Sequence, residues 1–129
     1  MKKINQACII DDDPIFVFGL KRLLIKAELC SEFLLFENGK EAIDGISELI
    51  SENSALPEII FLDLNMPIMD GWDFLDEFVK FSPAQKITLF IVSSSVHEAD
   101  IKRAEKYEAV SQYVIKPITS AELMKIIQA

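Results

Sequence analysis

The chain has 129 residues, half of them hydrophobic, with only four glycines and five prolines. That is one domain's worth of polypeptide, long enough to bury a core without staples and too apolar to be disordered or collagen-like. Lys and Arg number 13 against 21 Asp and Glu, a net charge of −8; this argues against a nucleic-acid ligand, which excess cations must meet, and suits a divalent cation at a compact anionic site.

The opening MKKINQ turns polar too soon for a secretory leader. No run approaches the ~18 apolar residues of a membrane helix. An acidic domain of this kind is expected in the cytoplasm, away from membranes. Cys8 and Cys30 lack metal-ligand spacing, and Cys8 reads as a buried, inert thiol rather than half of a disulfide.

The first strand is predicted over Gln6–Ile10, followed by Asp11-Asp12-Asp13. Asp13 can cap a helix that Pro14 starts, with Phe16, Leu20, Leu23, Leu24 and Ala27 at helical spacing. A second strand, Glu32–Phe36, precedes a helix over Lys40–Ile50 with Ala42, Ile43, Ile46, Leu49 and Ile50 apolar. The third strand, Glu58–Leu62, ends at Asp63, and a helix is predicted from Trp72 to Phe81. The fourth strand, Ile87–Val92, leads into Ser93-Ser94-Ser95 and a polar helix, Glu98–Tyr107, anchored by Ile101, Ala104 and Tyr107. The fifth strand, Gln112–Ile115, meets Lys116-Pro117, and a last helix carrying Leu123, Ile126 and Ile127 follows the cap Thr119. Strands apolar at consecutive positions and alternating with helices mean βαβ units around a parallel sheet. The pattern is α/β, one domain over residues 1–129, with no output domain expected after it.

Ligand sites in such sheets lie beyond the carboxyl ends of the strands. There the sequence places Asp11, Asp12, Asp63, Ser93 and Lys116. Taken singly, each has an ordinary reading: a helix cap, a solvated loop acid, a bonded strand end. Together they form carboxylates, a hydroxyl and an ammonium around one pocket. Close carboxylates repel and raise each other's pKa unless a cation neutralises them, and oxygen donors suit Mg²⁺ or Mn²⁺. A carboxylate can also attack a phosphoryl group, with the cation, the Lys and the hydroxyl stabilising the transition state.

Read in order, Ile9-Ile10-Asp11-Asp12-Asp13-Pro14, Asn38-Gly39-Lys40-Glu41-Ala42, the stretch Pro57 to Gly71 around Leu62-Asp63-Leu64-Asn65-Met66-Pro67, Val92-Ser93-Ser94 and Tyr113-Val114-Ile115-Lys116-Pro117 resemble the receiver (CheY-like) domain of two-component response regulators. The likeness runs from about Ala7 to Ile127. It implies a doubly wound, flavodoxin-like (βα)5 three-layer sandwich with sheet order 2-1-3-4-5. It also implies Asp63 as the phosphoacceptor, with Asp11, Asp12, Asp63 and the Asn65 backbone carbonyl on the metal. Ser93, Ser94 and Lys116 would bind phosphate, Lys116 contacting Asp63 before phosphorylation, and Ser93 and Tyr113 would act as the switch. Lys116-Pro117 would be a cis peptide that aims the lysine, and Gly71 after Asp70 suits a turn of positive φ.

The function so implied is phosphoacceptance from a histidine kinase or histidine phosphotransfer protein. The readout would be a shift of the face made by the fourth helix, fifth strand and fifth helix. The chain would catalyse only its own aspartyl phosphorylation and dephosphorylation, as a monomer or a phosphorylation-dependent dimer. Ile15-Phe16-Val17-Phe18 cannot all face the core, so Val17 or Phe18 should reach solvent and help dock the phosphodonor. Trp72 reads as core or rim packing close enough to the pocket for its fluorescence to respond to Mg²⁺, and a lone His97 excludes a histidine cluster. Two other readings compete: a Mg²⁺-dependent phosphohydrolase with an aspartate nucleophile, which would want an acid where Asn65 stands, and an unphosphorylated interaction module, which the complete pocket argues against. FMN binding would need a phosphate cradle where three aspartates stand.

Overall fold

A computed structural model of the chain describes residues 3–81 and 87–128. The first two residues of the MKKINQ opening lie outside them. The order is β1 (Ala7–Ile10), α1 (Pro14–Lys26), β2 (Phe33–Phe36), α2 (Gly39–Ser51), β3 (Ile59–Leu62), α3 (Gly71–Phe78), β4 (Thr88–Ser93), α4 (Glu98–Glu105), β5 (Val110–Ile115) and α5 (Ser120–Gln128). The strands form one parallel sheet ordered β2-β1-β3-β4-β5, as expected. No helix among the described residues is long and apolar enough to cross a membrane.

The period of two along a strand splits each apolar run between two cores. Ala7, Ile9, Ile59, Phe61, Phe90 and Val92 face α1 and α5, with Leu20, Leu24, Leu123 and Ile126. Cys8, Ile10, Ile60, Leu62, Leu89 and Ile91 face the other side, with Ala42, Ile46, Phe74 and Leu75. Both cysteines are free and buried, and burial pushes the Cys8 thiol up. Strands β1, β3 and β4 are buried on both faces, whereas the edge strands β2 and β5 are not.

The element ends differ from expectation for local reasons. A register shift between Leu89 and Phe90 lets β5 begin at Val110 instead of Gln112, because a bulge absorbs one extra residue. Helix α3 stops at Phe78 with Val79 as its C-cap. A turn, Phe81 N–H to Phe78 carbonyl, keeps the Phe78 and Phe81 rings edge to face. Helix α4 ends at Glu105, and Tyr107 follows in a turn bonded to Ala104.

Gly71 corrects the expected positive φ. No glycine has one, and the left-handed residue of that loop is Ile68, at φ 69. Gly71 instead sits where a Cβ would lie 2.5 Å from the Asp63 carbonyl and 2.9 Å from Leu64 Cα. The glycine is needed for close approach between the start of α3 and the end of β3. Asp70 caps that helix by accepting from Asp73 N–H at 2.9 Å.

Candidate functional site

The ladder holds the candidate residues just past the strand ends. Asp11 N–H donates to the Phe36 carbonyl, Asp63 N–H to the Ile10 carbonyl and Lys116 N–H to the Ser93 carbonyl. The backbone under each side chain is thereby fixed to a neighbouring strand. The site lies between β1 and β3, where the strand order reverses. Asp13 caps α1 by accepting from Ile15 and Phe16 N–H, which leaves Asp11 and Asp12 for the pocket.

Among the described residues, the buried polar or charged ones are Asp11, Asn38, Asp63 and Ser93. Asn38 caps α2 through Glu41 N–H. Asp11 and Asp63 meet in the pocket, Ser93 ends β4 at the same edge of the sheet, and buried polar groups are the informative kind. Asp11, Asp12 and Asp63 each bring an oxygen within 4.8 Å of the others, with Asp12 exposed. Asp11 Oδ1 accepts from Asp13 N–H and Asp63 Oδ1 from Leu64 N–H, both at 2.9 Å.

Lys116 Nζ lies 2.9 Å from Asp11 Oδ2 and 3.8 Å from Asp63 Oδ1. The expected partner before phosphorylation was Asp63, but the shorter contact is to Asp11. The ammonium also sits 4.3 Å from the Phe16 ring centre, a cation–π contact that helps hold it over α1. The Lys116-Pro117 peptide is cis, as the resemblance implied.

Burial pushes the Asp63 carboxyl up to about 6, with Asp11 adding to the rise and Lys116 opposing it. Burial raises Asp11 as well, against the pull of Lys116. Asp11 Oδ2 is buried, and the Lys116 ammonium at 2.9 Å is the group that meets it. Three clustered carboxylates, two of them buried and facing a single ammonium, fit a hard divalent cation such as Mg²⁺ or Mn²⁺.

Ser93 is fully buried, and its Oγ accepts from Ser95 N–H at 3.1 Å. Ser94 and Asn65 are exposed on the loops beside the pocket. Tyr113 is half-buried, and its hydroxyl donates to the Ser95 carbonyl at 2.9 Å rather than to solvent. On α1, Phe18 is 62% exposed and Val17 packs partly against the core. Ile15, at 83%, is the exposed residue that the apolar run did not single out.

The Trp72 ring does not face the pocket. It stacks on Tyr107 at 5.9 Å and lies under the Arg103 guanidinium at 4.5 Å, against α4. The bond from the Ser95 hydroxyl to Asp100 was also missed. Its only sequence signal is an acid in the first turn of a helix that follows a serine run.

A family model for the response regulator receiver domain matches residues 7–128. The nitrate/nitrite response regulator protein NarL of Escherichia coli K12 is 33% identical over 117 residues, which is 91% of this chain and 50% of NarL. The chain thus spans about half the length of that curated relative. A two-component response regulator from Cytophaga hutchinsonii superposes with a TM-score of 0.88 at 32% identity, covering 98% of this chain and 96% of that one. The receiver domain of the Pseudomonas aeruginosa sensor histidine kinase PA1611, crystallised with magnesium in its active-site cleft, shares the fold with a TM-score of 0.79 at 16% identity, over 99% and 96% of the two chains.

Proposed function

The chain belongs to the response regulator receiver domain family, and from that premise we propose that it accepts a phosphoryl group on Asp63 from a histidine kinase or phosphotransfer protein. The observation that carries this reading is the convergence of Asp11, Asp12 and Asp63 with Lys116 beside them. An Asp63 carboxylate oxygen attacks phosphorus, an O–P bond forms, and the N–P bond of a phosphohistidine breaks as the imidazole leaves. Asp11, Asp12, Asp63 and the Asn65 carbonyl are the groups that would hold Mg²⁺, in keeping with the magnesium-bound PA1611 domain. A cation there offsets the carboxylate repulsion and the charge developing on the phosphoryl oxygens. Lys116, a short reach from Asp63, and the Ser93 hydroxyl meet the same oxygens. Ser94 stands beside them.

Phosphorylation adds about −1.5 to −2 charges. Ser93 then turns toward the phosphoryl group, and Tyr113, already bonded to the Ser95 carbonyl, follows the β4–α4 loop. That movement shifts the α4-β5-α5 face between two populations. The exposed Phe18 with Val17 supplies part of the surface that docks the protein donor.

Incubation with Mg²⁺ and acetyl phosphate, followed by intact mass, tests the chemistry. One added phosphoryl group is expected, dependent on Mg²⁺ and absent in Asp63→Asn. Unchanged labelling in that variant would move the acceptor elsewhere, and donor turnover without an adduct would favour a phosphohydrolase. With a protein donor, Val17→Asp/Phe18→Asp should slow transfer while leaving acetyl phosphate labelling intact; equal rates would remove α1 from the docking surface.

A further inference from the structure

Helix α4 is the least anchored of the five. Ala104 is its one buried residue, and its N-cap, His97, makes no side-chain cap bond. The missing closure is supplied from Ser95. Its hydroxyl accepts from His97 N–H at 3.3 Å and donates to Asp100 Oδ2 at 2.5 Å, a charge-assisted bond. The rest of Ser95 faces the pocket and the sheet: its N–H donates to Ser93 Oγ and its carbonyl accepts from the Tyr113 hydroxyl. One residue therefore links Ser93, Tyr113 and the first turn of α4. The side chain that α4 contributes to this link is Asp100.

We propose that Asp100 is a positioning residue that couples the phosphorylation pocket to helix α4, acting through the Ser95 hydroxyl. The proposal rests on the phosphoacceptor reading above. When Ser93 Oγ turns to a phosphoryl oxygen, the Ser95 N–H must follow it or lose its acceptor. Either displaces Ser95, and its bond to Asp100 carries the displacement into α4. A helix with one buried side chain has little packing to resist this. The far end of α4 and the turn after it are fastened to α3: Arg103 covers Trp72, and beyond the helix the Tyr107 hydroxyl donates to Asp76 Oδ1 at 2.7 Å. Trp72 is the chain's single tryptophan, so its emission reports on α4.

The test uses acetyl phosphate with Mg²⁺, reading labelling by intact mass and Trp72 emission in the same sample. The labelled wild type should show an emission change. Asp100→Ala, labelled to the same extent, should show no more than about a third of that amplitude. Asp100→Asn keeps an oxygen that can accept from Ser95 and should recover most of it, which separates loss of the bond from loss of the fold. Ser95→Ala should match Asp100→Ala. Full amplitude in Asp100→Ala at equal labelling, or no recovery in Asp100→Asn, overturns the proposal. So does a wild type that labels with no change in Trp72. A wild type that does not label at all removes the phosphoacceptor reading itself, and this proposal with it.

Discussion

Replacing Asp63 with Asn should stabilise the protein when no divalent cation is present. The residue is 6% exposed, and its carboxyl sits at about 6 against an ordinary 3.8. Burial is the first cause and the Asp11 charge the second. A carboxyl raised from 3.8 to about 6 corresponds to roughly 3 kcal/mol of cost for charging Asp63 in the folded state, at about 1.4 kcal/mol per tenfold in the proton equilibrium. Asn keeps the shape and carries no charge, so the gain approaches that figure as an upper bound.

The sign in pH follows from the raised folded value. The folded protein holds the Asp63 proton more tightly than the unfolded chain does. Its contribution to stability is therefore complete below about pH 4 and lost as pH rises through about 6. Urea unfolding with a chelator should show Asp63→Asn and wild type nearly equal near pH 4, with the variant pulling ahead by about 2–3 kcal/mol above pH 7. If Asp63 helps hold Mg²⁺ as proposed, saturating Mg²⁺ should close that gap, because ligand at 100 times its Kd adds about 2.7 kcal/mol to the wild type and less to a variant that lacks one of the ligands. A variant no more stable than wild type with chelator present, or a gap that is the same at pH 4 and pH 7.5, would refute the reasoning.

Ile68 combines a β-branched side chain with φ 69 and 83% exposure. Ile68→Asn should raise the urea midpoint, worth about 1 kcal/mol, since Asn tolerates the left-handed region and little burial is lost; a fall in the midpoint would show that the isoleucine packs better than its exposure implies. Gly71→Ala puts a Cβ 2.5 Å from the Asp63 carbonyl. It should lower stability by about 1–3 kcal/mol in urea unfolding and slow acetyl phosphate labelling, because the backbone that must yield carries Asp63; wild-type values of both would mean that the loop relaxes freely.

Most of the pocket is legible in the sequence because a parallel sheet turns adjacency to a strand end into adjacency in space. Asp11, Asp63, Ser93 and Lys116 each stand at or just beyond such an end, so finding the strands finds the site. What is not legible depends on side-chain reach. Lys116 could extend to either buried aspartate, and it meets Asp11 more closely, with the Phe16 ring beside the ammonium. Trp72 precedes α3's buried phenylalanines and reads as ordinary core, yet only the crossing of α4 places Arg103 and Tyr107 over it. Val110 is missed as strand because the extra residue Ser111, opposite the Leu89/Phe90 step, breaks the alternation that marks one. Gly71 is flagged correctly for the wrong reason, since a tight approach and a positive φ leave the same trace in a sequence.

The net charge of −8 conceals two kinds of acid. Of the 21 Asp and Glu residues, Asp11 and Asp63 are the buried ones among the described residues. Both have N–H groups bonded into the strand ladder, so their mutual repulsion cannot relax by moving the backbone apart. Strain fixed in a rigid element is relieved by a counter-charge or by protonation. A new charge placed on Asp63 is likewise not absorbed by the sheet; it acts on whatever nearby has least to hold it. The β4–α4 loop fits that description, because Ser95 is held there by hydrogen bonds and α4 by one buried alanine and polar contacts at its ends. If Asp63 is phosphorylated as proposed, the rigidity of the carboxylates and the loose seating of α4 are complementary, the first concentrating the effect of the phosphoryl group and the second letting it be expressed as movement.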